Sequence, residues 1–181
     1  MARFLKHTEL ADEIIELFQE AEGRITIISP YIKLHPDIKQ VLKEKQKDEK
    51  FFIEILYGKN KDEIHKSLSK SDLGFFKEFE NVDIYYNQDL HAKYYANESK
   101  SIVTSINLHE YSINNNIEVG VCFERSMFGL GKDSKLDSES FEYFDDIITN
   151  SEKVFTKEVK NKEYLFGLFK KKIGSDVDDR T

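Results

Sequence analysis

The chain has 181 residues, of which 39% are apolar, enough for one domain with a sizeable core and no need of disulfide support. Cys122 is the only cysteine, which excludes an intrachain disulfide and a multi-cysteine metal site and fits a reducing compartment. The formal charge of -7 excludes a surface uniformly attractive to polyanions, although the lysines are bunched: Lys43, Lys45, Lys47 and Lys50, then Lys59, Lys61, Lys66 and Lys70, then Lys170 to Lys172.

In chain order, Leu10, Ile14, Leu17, Phe18 and Ala21 recur at helical spacing, which predicts an amphipathic helix from Thr8 to Ala21, with Thr8 as its cap. The β-branched run Arg24 to Ser29 reads as a buried strand ended by Ser29-Pro30. A helix from Pro36 to Gln46, a strand from Phe51 to Tyr57, a helix from Asp62 to Phe79 and a strand from Val82 to Tyr86 continue the alternation, implying parallel pairing. Leu90 to Ala96, Ser101 to Ser105 and Asn116 to Phe123 then follow as strands separated by little more than turns, a spacing that permits antiparallel neighbours. Asp133 to Ser140 is polar and reads as a loop; Phe141, Phe144, Ile148, Phe155 and Val159 mark a long closing helix. The expected architecture is one α/β domain in residues 1–165, a mixed, largely parallel sheet sandwiched between helices, with a charged tail in residues 166–181 that is frayed from Lys170 to Thr181. No apolar run has signal-peptide or membrane-spanning length, so a soluble, cytoplasmic protein without a membrane segment is expected.

The chemistry concentrates between Leu90 and Gly120. In a strand, residues two apart share a face, so His91 and Lys93 project together, as do Ser105 and Asn107 at the end of the next strand. Side by side, these strands would gather an imidazole, an ammonium, a hydroxyl and an amide around one phosphate, with Glu118 reaching the imidazole from a third strand. Each part has a plainer reading: a His-x-Lys pair is more often a solvent-facing alternation, Ser105 and Asn107 are also turn residues, and Glu118 suits an edge-strand surface.

Order and spacing weigh the other way. His91-Ala92-Lys93, Thr104-Ser105-Ile106-Asn107 and Asn116-Ile117-Glu118-Val119-Gly120, preceded by Ile28-Ser29-Pro30-Tyr31-Ile32, resemble the phospholipase D superfamily, specifically its short bacterial nucleases with a single His-x-Lys motif. Glu98 stands where that pattern has Asp, Thr104 where it usually has Gly, and the stretch to Ser105 is one residue short.

The expected chemistry is phosphodiester hydrolysis. His91 attacks phosphorus, Glu118 fixes its tautomer, and Lys93, Ser105 and Asn107 hold the non-bridging oxygens, a scheme that requires neither cofactor nor metal. One imidazole does not serve both faces of the phosphorus, and His7, His35, His65 and His109 lack a lysine two residues on. A homodimer meeting at the active site supplies the second His91, and the resemblance implies the same. Nucleic acid is the expected substrate, with Tyr85, Tyr86, Tyr94 and Tyr95 available either to stack on bases or to pack in the sheet. The alternatives are a hydrolase of cardiolipin-type phospholipid and a dimeric nucleic-acid-binding module with a weakened site. The charged C-terminus leaves room for a further domain beyond it.

Overall fold

The computed structural model describes residues 2–59, 66–109, 117–124, 134–164 and 169–181. Its elements are β1 (Ala2–Lys6), α1 (His7–Glu20), β2 (Arg24–Ile28), β3 (Ile32–Lys33), α2 (Pro36–Lys43), β4 (Phe52–Gly58), α3 (Lys70–Lys77), β5 (Asn81–Asn87), β6 (Tyr94–Asn97), β7 (Lys100–Thr104), β8 (Leu108–His109), β9 (Val119–Glu124), α4 (Ser134–Thr149), β10 (Glu152–Tyr164) and β11 (Phe169–Asp179). Nine strands form one sheet in the order β1-β9-β7-β6-β2-β4-β5-β10-β11, and β3 pairs with β8 apart from it. The sheet is mixed: β2, β4 and β5 run parallel, and the ladders flanking them on both sides are antiparallel.

Alternation along the strands builds two apolar layers. Ile25, Ile27, Ile53, Ile55, Val82, Ile84, Tyr95 and Ile102 face the buried stripes of α1, α2 and α3. Ile28, Leu56, Tyr94 and Ala96 face Phe144 and Ile148 of α4, where the rings of Tyr94 and Phe144 stack at 4.3 Å. The helices are held by this burial more than by propensity, since each fully buried Leu, Ile or Phe contributes roughly 1.5–3 kcal/mol.

Local chemistry sets the boundaries. The first helix begins at His7, so Thr8 lies in its first turn and does not cap it. Lys45 closes the other end by donating to the carbonyls of Gln19 and Ala21, so one member of the first lysine bunch has a structural role. Ser69 caps α3 by accepting from Asp72 N. That helix is therefore shorter than expected: Leu68 forms a bridge with Ile32, and the expected start at Asp62 lies outside the described residues.

The C-terminal third corrects the sequence reading. Ser134 to Ser140 is helix, not loop, because Asp137 points inward and accepts from the buried hydroxyl of Ser101 at 2.8 Å. The helix stops at Thr149, and Phe155 and Val159 belong to β10. A register shift between Lys153 and Phe155 accompanies the burial of both Val154 and Phe155, which breaks the alternation that would have revealed a strand. Nor is the tail frayed: β11 pairs with β10, Lys77 donates to Asp179, and the amide of Arg180 donates to the carbonyl of Val154. These two strands extend the antiparallel part of the sheet, so its parallel part is narrower than the sequence suggested. Among the described residues, no helix is long and apolar enough to cross a membrane.

Candidate functional site

One end of the sheet collects the residues picked out from the sequence. The C-termini of β2 and β4, the start of β6, the end of β7 and the start of β9 all lie there, because Ile28 pairs with both Leu56 and Tyr94, and Thr104 with Gly120. Along the row β9-β7-β6-β2-β4 come Glu118, Ser105, Lys93, Ser29 and Lys59 in turn, each at or just beyond a strand end.

The turn after β7 is tied down from three directions. The Ser105 amide donates to the carbonyl of Val119 at 3.0 Å, and the buried Tyr95 hydroxyl donates to the carbonyl of Ile106 at 2.9 Å. From below, Ser29 Oγ accepts from the amide of Leu108 at 3.2 Å and donates to the carbonyl of Tyr31. The Ile28 to Ile32 segment thus holds the backbone of Leu108, the residue after Asn107. The Oδ1 of Asn107 is buried without a hydrogen-bond partner, an acceptor left open in a site otherwise well paired.

Ser105 and Glu118 come together directly: the hydroxyl donates to Glu118 Oε2 and accepts from the amide of Val119 at 3.0 Å. Thr104, where the resembled pattern has Gly, turns its side chain across to β9 and donates to the carbonyl of Val119 at 2.8 Å. Gly120 makes room for it, since a Cβ there would lie 3.2 Å from that of Thr104. The threonine braces the joint between Ser105 and Glu118.

His91 and Lys93 do not share a strand face. The β6·β7 ladder begins at Tyr94, and Leu90 to Lys93 is an irregular lead-in that keeps one ladder-like contact, Thr104 N donating to the carbonyl of Lys93 at 3.2 Å. The lysine is buried, at 8% exposure, and the imidazole is exposed. Burial, with a further push from Lys59, lowers the Lys93 pKa against the opposing pull of Glu118. The charges of Lys93 and then Lys59 lower the His91 pKa below its ordinary value, disfavouring the protonated ring. Glu118 makes no hydrogen bond to it here: its carboxylate accepts from Ser105, and Asn116 lies outside the described residues.

Lys59 is the residue that sequence reasoning overlooked, counted there only within a lysine bunch. Its φ of 88° is its one distinguishing mark, and dihedrals are not legible in a sequence. The tyrosines are packed, not poised for stacking: Tyr86, Tyr94 and Tyr95 are buried, and Tyr85 donates to Asp83. Glu98 has a structural task. Its carboxylate accepts from the amides of Glu22 at 2.6 Å and Arg24 at 3.3 Å, tying the β6–β7 turn to the entrance of β2. Partial burial would raise its pKa, but these amides outweigh that and hold it below the ordinary carboxylate value.

A family model described as "Cardiolipin synthase, PLD-like domain" matches residues 14–139, a span from α1 to α4 that contains every candidate residue. The chain belongs to the PLD-like family. Solved structures share the fold of this PLD-like domain: the phospholipase D family member Nuc from Salmonella typhimurium (13% identity, TM-score 0.59, 84% of this chain and 97% of that one); NucT from Helicobacter pylori (11%, 0.63, 84% and 98%); and phosphatidylserine synthase from Haemophilus influenzae Rd KW20 (16%, 0.63, 84% and 39%). TrmBL2, an archaeal chromatin protein, is also similar (14%, 0.56, 84% and 53%). Curated protein sequences give no match. The β10–β11 hairpin lies beyond the matched span of this PLD-like domain.

Proposed function

We propose that this protein is a metal-independent phosphodiesterase that cleaves nucleic acid through a phosphohistidine on His91, as a homodimer. The observation that carries the reading is an exposed imidazole set beside a buried ammonium, with the Ser105–Glu118 pair and Asn107 gathered at the same sheet end. An imidazole nitrogen of His91 forms a bond to phosphorus while the ester oxygen leaves with the bonding pair. Lys93, Ser105 and Asn107 stabilise the charge on the non-bridging oxygens in the five-coordinate transition state. The leaving oxygen takes a proton from the second copy's His91, which must be protonated at that step; the neutral imidazole left behind then deprotonates the water that breaks the P–N bond. Glu118 supports the positive imidazole once the substrate displaces the hydroxyl of Ser105.

The twin is supported by the surface around Glu118. Ile117 is 88% exposed and Val119 is 40% exposed, an apolar rim that a second copy would cover. Likeness over nearly the whole length of Nuc and NucT, and to TrmBL2, whose structure is described as showing a mode of DNA binding, supports nucleic acid as the substrate. A phospholipid substrate is the second reading, favoured by the family's description and by the likeness to a phosphatidylserine synthase.

The test measures hydrolysis of a chromogenic phosphodiester, single-stranded DNA, RNA and anionic phospholipid vesicles by the wild type and by His91→Asn. The expected result is nucleic-acid cleavage unaffected by chelators and lost in the variant, which keeps its fold and dimer. Near-wild-type turnover in His91→Asn, or strict dependence on an added divalent ion, would overturn the mechanism.

A further inference from the structure

The end of β4 is built with more strain than a strand exit needs. Gly58 is paired with Asn87, and a Cβ at Gly58 would lie 1.9 Å from the Asn87 carbonyl oxygen and 2.9 Å from Leu90 Cβ. Only glycine allows β4 to end hard against the Asn87–Leu90 turn, whose next residue is His91. Lys59 then follows with φ 88°, a left-handed conformation that glycine or asparagine adopts far more readily. Conformational preference does not explain a lysine at that position, and outliers of this kind gather at functional sites.

Its placement explains it better. Lys59 is exposed, at the same sheet end as the site, and its charge acts on both His91 and Lys93. Three cationic or protonatable side chains are thereby collected on a chain of net charge -7, an arrangement that repels itself until an anion enters. Lys93 lies at β6 and Lys59 at β4, with β2 between them, so their strand ends are roughly 10 Å apart at the usual strand spacing. One phosphate held by Lys93, Ser105 and Asn107 leaves Lys59 to one side, along the row of strand ends. A substrate carrying phosphates in succession meets both positions.

We infer that Lys59 is a further phosphate-binding residue, one that holds the phosphate next to the scissile one in a polynucleotide strand. This rests on the proposed nuclease reading for the reaction, but the binding does not require turnover. It makes the site selective for a polymer over an isolated phosphodiester, since a small diester lacks the second phosphate.

The experiment measures binding of a labelled single-stranded oligonucleotide, without turnover, to His91→Asn and to His91→Asn with Lys59→Gln, across a range of salt. Loss of Lys59 should weaken binding about tenfold and lower the log–log salt slope by about 0.7, the loss of one phosphate contact on a single strand. Lys59→Arg should retain most of the affinity. Lys59→Gly relieves the backbone and should raise Tm while losing as much affinity as Lys59→Gln, a split that a purely structural lysine would not give. Unchanged affinity and slope in Lys59→Gln would overturn the inference, as would an equal loss on anionic vesicles or no oligonucleotide binding at all. If the wild type cleaves no phosphodiester, the catalytic reading falls, while the binding comparison still decides the role of Lys59.

Discussion

Thr104 and Gly120 stand opposite each other where β7 and β9 reach the site, and the missing side chain of one accommodates the bonded side chain of the other. A Cβ on Gly120 would lie 2.8 Å from the fully buried Leu10 as well as 3.2 Å from Thr104. Gly120→Ala should therefore destabilise the fold by about 1–3 kcal/mol through overpacking. Because the strain falls next to Val119, it should also loosen the Ser105–Glu118 pair and lower turnover. Urea unfolding together with kcat measurement checks both effects, and an unchanged midpoint would show that the core yields at no cost.

Tyr95 is fully buried in the sheet, yet its hydroxyl reaches the backbone of the Ser105–Asn107 turn. Tyr95→Phe keeps the packing and removes the donor, which should cost about 0.5–1.5 kcal/mol. The catalytic effect should be larger in kcat than in KM, since the turn that positions Ser105 and Asn107 is the part released. An intact kcat with reduced stability would confine Tyr95 to a core role.

Glu98 stabilises as a carboxylate. Its folded pKa lies below the ordinary 4.5, so the contribution is present above that value and is lost as pH falls through the lower folded value. At neutral pH, Glu98→Gln should lower stability by about 1 kcal/mol, a figure already reduced for solvent screening. Below pH 4.5 the gap between wild type and variant should close. A gap that stays constant down to acid pH would remove the charge from the explanation.

His91 should titrate below 6.5, because a neighbouring cation disfavours the protonated ring. Lys93 is the larger influence, so Lys93→Met should move the titration up toward 6.5. The imidazole C2–H resonance followed through a pH series measures this without catalysis. On the proposed mechanism, in which the attacking ring is neutral, the acid limb of kcat/KM in the wild type should fall at the same depressed value.

Much of this fold was legible because burial imposes periodicity. The apolar stripe of α1 faces one core and the β-branched runs of β2, β4 and β5 are buried between two, so each leaves a clear apolar pattern. β10 and β11 left none. They extend to the sheet edge, much of their length is solvent-exposed, and the register shift at Lys153 to Phe155 mimicked helical spacing. The start of α4 was hidden for a similar reason: its inward residue is Asp137, satisfied by a serine that is distant in sequence.

The sequence by itself determined which residue types are available for phosphoryl chemistry, and in what order, because motif spacing is a local property of the chain. Tertiary structure alone decided their partners. The Ser105–Glu118 bond spans thirteen residues, Glu98 reaches back to Glu22, and the charge of Lys59 acts on His91 where Gly58 lets β4 end against the Asn87–Leu90 turn. Such meetings depend on strand order and on backbone angles, which are set by the packing of the whole sheet and written in no single segment.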